Sequence, residues 1–379
     1  MSKDPNKPKT DVKVEVVKED VPDEKKNVKK DNLKKSGKKF YKQVWFYILV
    51  GVVLVAIIAI IGYLVFGTDS TTTNSNVNRK TNSKNVARVL DGVMVDPAVA
   101  NPYPIALMIE NLIDVRPQEG LDQAKIIYEA LAEGGITRFI ALFLLTEPIE
   151  SVGPVRSARP YYIDWVKEYD AFYGHVGGST TAMAKIVNES VKDLDQMFNA
   201  QYFIRDTRFA APHNVYTSSD LLLYAHRDKE IPAEGSYESW LYKDGVKKAD
   251  RPIGEKKIII DYSSYNYKVE YRYNSESNSY DRYQTDEPFM SSGVHLSPDN
   301  VIVQYVVTGL EDASRLTMET IGSGEAVVFR DGQAIQATWE KDSITDRTRY
   351  YDKVSDEEIV LNRGVTWISI VPTTAVVEY

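Results

Sequence analysis

The sequence predicts an α+β protein: a single transmembrane helix, then a mixed α/β domain, then a β-rich domain. Three observations carry that reading. Val44 to Phe66 runs for 23 residues without a charge. Residues 88–230 alternate strand-like and helix-like runs. From residue 257 onward only short strand-like runs recur, with turn signals between them.

Residues 1–43 hold 14 lysines against 8 acidic residues and almost no aromatics. That composition cannot bury a core and predicts a disordered tail. Residues 44–66 suffice to cross a ~30 Å hydrocarbon core at ~1.5 Å per residue. Trp45, Phe46 and Tyr47 at one edge, and Tyr63 and Phe66 at the other, match interfacial aromatics. A cleaved signal peptide is the competing reading, but its apolar run would be only ~7–15 residues. The lysine block before the span predicts a cytoplasmic N-terminus and an extracytoplasmic body. Residues 67–87 read as a linker, and Gly67 to Asn85 as a flexible coil would reach roughly 25 Å.

After residue 43 the balance is 32 basic against 46 acidic residues. An acidic body argues against nucleic acid as a partner, since duplex binding needs a basic face. The chain has no cysteine, which excludes disulfides, thiolate metal sites, a cysteine nucleophile and lipid attachment through cysteine.

Within 88–230, Pro104 to Glu110 reads as a buried strand, and Gly120 to Lys125 as a short helical turn. Ile126 to Ala132 and Ile136 to Leu145 flank Glu133-Gly134-Gly135 as a β-hairpin. On period two, Glu129 lies on an otherwise apolar face and needs a cation. Arg138, across the hairpin, is the expected partner. Tyr161 to Tyr169 and Thr180 to Glu189 read as helices, and Ser218-Ser219-Asp220 caps a third over Leu221 to His226. Residues 231–256 read as a linker or insert. In 257–379, Lys257 to Asp261, Val301 to Val307, Ala326 to Arg330, Gln333 to Trp339 and Thr366 to Val371 read as strands. Asp331-Gly332 between two of them signals a hairpin.

The stretch Ser151 to Ser179 gathers the candidate chemistry. Arg156, Ser157 and Arg159 sit on a turn bounded by Pro154 and Pro160, and Gly177-Gly178-Ser179 opens a helix. Guanidiniums on a turn and bare N–H groups at a helix start both suit an anion. Arg205, Arg208, His213 and Asn214 follow near another Pro-bounded loop. Together these seven side chains predict a ligand cleft, with Glu129, Arg138, His175 and Ser179 as auxiliary residues. The bland alternative is dispersed salt bridges. The histidines show no ligand spacing, so neither a metal nor a cofactor is expected. Neither serine sits in a G-x-S-x-G context, so catalytic residues stay unassigned.

NPYPIALMIEN, RPQEGLDQAKIIYEALAEGGITRFIALF, VGPVRSARPYYIDW, APHNVYTS, GSGEAVVFRDGQAIQATWEKD and GVTWISIVP closely resemble the YerB-like family. These are bacterial cell-envelope proteins of lipoprotein type, of unknown function, with an N-terminal and a C-terminal family domain. The resemblance spans about Arg88 to Pro372 and implies an extracytoplasmic, two-part body, without catalytic residues to carry over. This chain departs from lipoprotein members in lacking the cysteine for lipid attachment. The functional expectation is a membrane-anchored protein binding an anionic envelope ligand, either a wall glycan or a lipid-linked phosphate. The alternatives are an envelope enzyme, such as a phosphotransferase or hydrolase, and a scaffold for another envelope protein.

Overall fold

Three apolar runs form the strands their composition predicts: β1 (Pro104–Glu110), β2 (Ile126–Leu131) and β3 (Thr137–Leu144). The computed structural model describes residues 84–379. β2 and β3 make the expected hairpin, with Gly134 and Gly135 at φ of 67° and 73° in its turn. A side chain would strain both positions. β1 lies antiparallel to β3, while β4 (Phe172–His175) and β5 (Asp193–Asp195) continue beyond β1 in parallel. A two-residue hairpin, β6 (Ile204–Arg205) with β7 (Val215–Tyr216), stands on the loops after β5.

Helix α1 (Pro160–Lys167) starts with proline at its first position, where a missing N–H costs nothing. Helices α2 (Thr180–Asn188) and α3 (Ser219–Asp228) are capped by Ser179 and Ser218, whose hydroxyls accept from Ala182 N and Leu221 N.

The C-terminal half contributes two sets of strands. β8 (Lys257–Asp261), β9 (Lys268–Asn274), β10 (Ser279–Gln284), β11 (Glu287–Pro288) and the last strand, β17 (Val377–Glu378), make a five-stranded sheet ordered β11-β10-β9-β8-β17. β12 (Asn300–Val306), β13 (Gly322–Arg330), β14 (Gln333–Lys341), β15 (Arg349–Asp352) and β16 (Thr366–Pro372) join the N-terminal strands instead. The result is one ten-stranded sheet, ordered β15-β14-β13-β12-β16-β2-β3-β1-β4-β5. At its seam Thr366 to Ser369 run parallel to Ile126 to Glu129. One face packs Ile127, Phe139, Val303 and Trp367 toward Ile258 and Tyr271 of the small sheet. The other packs Tyr128, Ile140 and Ile368 against Tyr162 and Trp165 of α1.

The predicted fold class is corrected in two respects. Among the described residues no helix is long and apolar enough to cross a membrane. The three α-helices among the described residues have eight to ten residues, about 12–15 Å at 1.5 Å per residue. The predicted span 44–66 and tail 1–43 lie outside the described residues, as does most of the linker. Second, the α/β half and the β-rich half do not keep separate sheets, since β16 hydrogen-bonds to β2. The expected linker also takes part, because Tyr242 and Lys243 pair with Leu361 and Asn362.

Candidate functional site

β1, β4 and β5 run parallel, so Glu110, His175 and Asp195 end at one edge of the sheet. Loops beyond the carboxyl ends of parallel strands are where α/β folds place ligands. The strip Val152 to Arg156 crosses this edge, pairing with Thr217 and Val215 on one side and with Ile109 on the other. It thereby brings Arg156 beside the β6–β7 hairpin, which carries Arg205, Arg208, His213 and Asn214.

Glu110 is the centre of this cluster. Arg156 Nε lies 3.0 Å from Glu110 Oε1, and His213 Nδ1 lies 2.8 Å from Glu110 Oε2. Arg156 Nη1 also donates to the carbonyl of Pro212 at 3.1 Å. Arg208 bonds Asp206 through Nε at 2.6 Å and Glu119 through Nη2 at 2.5 Å, with its side chain 59 % exposed. The Arg208 hydrogen bond holds the Asp206 carboxyl below the usual carboxylate range. Arg205 differs from the others. It is exposed, and its Nη1 donates to the amide oxygen of Asn214 at 2.9 Å.

The remaining predicted residues go elsewhere. Arg159 turns to Glu133, donating from Nη2 to Oε2 at 2.9 Å and from Nε to Oε1. Arg138 Nη2 reaches the same carboxylate at 3.0 Å, and its Nη1 takes the carbonyl of Ser157 at 2.9 Å. Burial pushes the Glu133 carboxyl up, but the Arg159 hydrogen bond and both guanidinium charges outweigh it. The carboxyl is held below the usual range. His175 is sealed, with Nε2 2.6 Å from Asp193 Oδ1 and Nδ1 2.8 Å from the carbonyl of Gly177. Asp195 Oδ1 accepts the Gly177 N–H, and the Ser179 hydroxyl caps α2. The Gly177 and Ala182 N–H groups at this helix start are thus already engaged.

The predicted Glu129–Arg138 pair is corrected by register. Ala130, not Glu129, stands opposite Arg138, and one residue of offset turns the two side chains to opposite faces. Glu129 is fully buried and accepts from Arg282 Nη2 at 2.9 Å, Thr137 Oγ1 at 2.9 Å and Trp367 Nε1 at 3.1 Å. Arg282 is wrapped in rings, its Cζ 3.9 Å from the Phe289 centroid and 4.5 Å from that of Trp367. Sequence reasoning missed Arg282. The only trace of it was the demand of Glu129 for a cation on an apolar face.

Two family profiles match the chain. "Protein of unknown function (DUF3048) N-terminal domain" covers residues 90–232, and its C-terminal counterpart covers 258–368. The Bacillus subtilis (strain 168) protein "Putative lipoprotein YerB" is 29 % identical over 300 residues, 76 % of this chain and 87 % of its own. The crystal structure of the YerB protein from Bacillus subtilis matches with a TM-score of 0.69 at 26 % identity, covering 78 % of this chain and 100 % of that one.

Proposed function

The chain belongs to this two-domain family of unknown function, and from that premise we propose that it binds an anionic envelope ligand at the Glu110 edge. The lipoprotein designation of its relative supports an envelope role. The observation that carries the proposal is the charge balance of the cluster. Arg156 and Arg208 have carboxylate partners, whereas Arg205 is exposed and rests on an amide. Arg205 is therefore the cation that an incoming phosphate or carboxylate meets without first displacing an internal acid. Arg208 adds an exposed second charge, and Glu110 fixes Arg156 and His213 behind them. Arg159 has no part in this site.

Binding without turnover is the reading favoured over an envelope hydrolase or transferase. A nucleophilic mechanism needs a free hydroxyl beside a base. Of the predicted residues, the Ser179 hydroxyl caps a helix and both nitrogens of His175 face oxygen acceptors, so these two do not supply such a pair.

Calorimetric titration of the full-length protein with inorganic pyrophosphate tests the proposal. Saturable binding is expected, and Arg205→Ala should weaken it about tenfold or more, the scale of a charge-assisted bond. Arg227→Ala, a 70 % exposed arginine on α3, should leave it unchanged. Equal losses in the two variants would reduce the effect to general surface charge and end the proposal.

A further inference from the structure

A second guanidinium stands out by its surroundings. Arg116 leaves the loop after β1, with its Cζ 5.2 Å from the Tyr267 ring centroid. Its Nε donates to Asn111 Oδ1, and its Nη2 to the carbonyls of Asn111 and Asn266, each at 3.0 Å. Those bonds use the Nε–H and both N–H groups of Nη2, leaving the two of Nη1. All three acceptors are neutral, and the carboxylate that acts on this half-buried charge, Glu129, does so from a distance and is itself paired with Arg282.

The neighbourhood adds a second guanidinium, itself paired. Arg282 lies nearby, fully buried and ion-paired with Glu129. Burial first, and then the Arg282 charge, push the Arg116 guanidinium down to about 10. Arg116 lines a cavity of about 230 Å³, walled by Pro117, Pro288, Phe289 and Met290. Gln284 closes it, its amide fixed by Arg282 Nη2 at 3.0 Å and by the Asn266 carbonyl at 2.9 Å. Glu287 also lines it, from the exposed strand β11.

The backbone at this cavity is a tight hairpin turn, which takes positive φ at both central residues. Thr285 and Asp286 both have positive φ, 55° and 62°, in the turn between β10 and β11. Aspartate tolerates that region, but a β-branched threonine rarely enters it.

We propose that this cavity binds a carboxylate carried on a short apolar group, of the kind found at the C-terminal residue of a peptide. The volume lies below the ~300–1,000 Å³ of pockets for drug-sized ligands and suits a unit the size of an amino acid. One remaining guanidinium nitrogen suits a monoanion, and the proline, phenylalanine and methionine walls suit its apolar part. The site is separate from the Arg205 cluster and does not depend on it.

The full-length protein titrated with N-acetyl-L-leucine, N-acetyl-L-leucinamide and a hexapeptide ending in free leucine tests this. The acid should bind at least tenfold tighter than the amide, in the parent and in Arg205→Ala alike. The hexapeptide binding tighter than the free acid would identify a chain end as the natural source, and the reverse a free acid. Arg116→Gln should abolish the preference, but it also removes the bonds to Asn111 and Asn266. Met290→Trp leaves those bonds in place and fills the cavity, so it should block binding in a folded protein. Equal affinity for acid and amide, or undiminished binding in Met290→Trp, overturns the proposal.

Discussion

Glu129 and Glu133 lie four residues apart at the end of one strand, yet they serve opposite kinds of charge pairing. Glu129 is fully sealed between the two sheets, and its cation, Arg282, comes from the other half of the chain. Glu133 sits in the hairpin turn with its side chain 25 % exposed, and Arg138 and Arg159 come from its own half. The strand's two-residue period fixes Glu129 toward the small sheet. Beyond the strand end the turn frees Glu133 to reach arginines of the opposite face. A sealed pair cannot exchange partners, because removing one member strands a charge in low dielectric. A half-exposed pair can exchange with water or a ligand at modest cost. Counting arginines in the sequence therefore overstates the site, and what marks one is a cation left without an acid.

The largest effect expected is at the sealed pair. Arg282→Ala should destabilise by about 3–5 kcal/mol, the cost of breaking a buried pair from one side. Urea denaturation measures it, and a loss below about 1 kcal/mol would break the contrast. An intermediate effect belongs to Glu133→Gln, about 1–3 kcal/mol near neutral pH, because two partly buried guanidiniums lose their acceptor. The folded carboxyl lies below its unfolded value near 4.5, so its contribution is present above that pH and lost as pH falls through the folded value. The stability gap between parent and Glu133→Gln should accordingly close on acidification. A gap independent of pH would mean that the carboxylate charge is not what holds the turn. The smallest effect is at Arg208→Ala, where an exposed ion pair contributes about 0–1 kcal/mol and is screened by salt. A larger, salt-insensitive loss would put Arg208 with the structural pairs.

Local features were legible in the sequence and distant pairings were not. Strand β1, the β2–β3 hairpin, the Ser218 cap and the Asp331-Gly332 turn each depend on a few adjacent residues. Strand β10, SYDRYQ, escaped notice because its alternation is polar, and the buried arginine within it reads as a surface residue. The Glu129 partner was misassigned by one residue of register, which reverses the face of every side chain. Of the candidate site, the grouping of Arg156, Arg205, Arg208, His213 and Asn214 along one loop edge follows from their turns. The diversion of Arg159 to Glu133 does not, since no local signal says which acid a long side chain will reach. Arg116 offered no signal beyond a single charge before a proline.

The seam between β2 and β16 has a consequence for how the protein is made. Residues 126–129 pair with residues 366–369, separated by most of the chain, so the central hydrogen bonds of the large sheet form only once nearly the last residues are available. As the chain emerges from its start, the first family domain has a hydrophobic strand edge waiting without its neighbour. Such delayed, non-local closure slows folding and leaves edges exposed to wrong partners. A chain cut just before residue 366 would hold nearly all of both family domains and no completed centre, and would be fit chiefly for quality-control proteases.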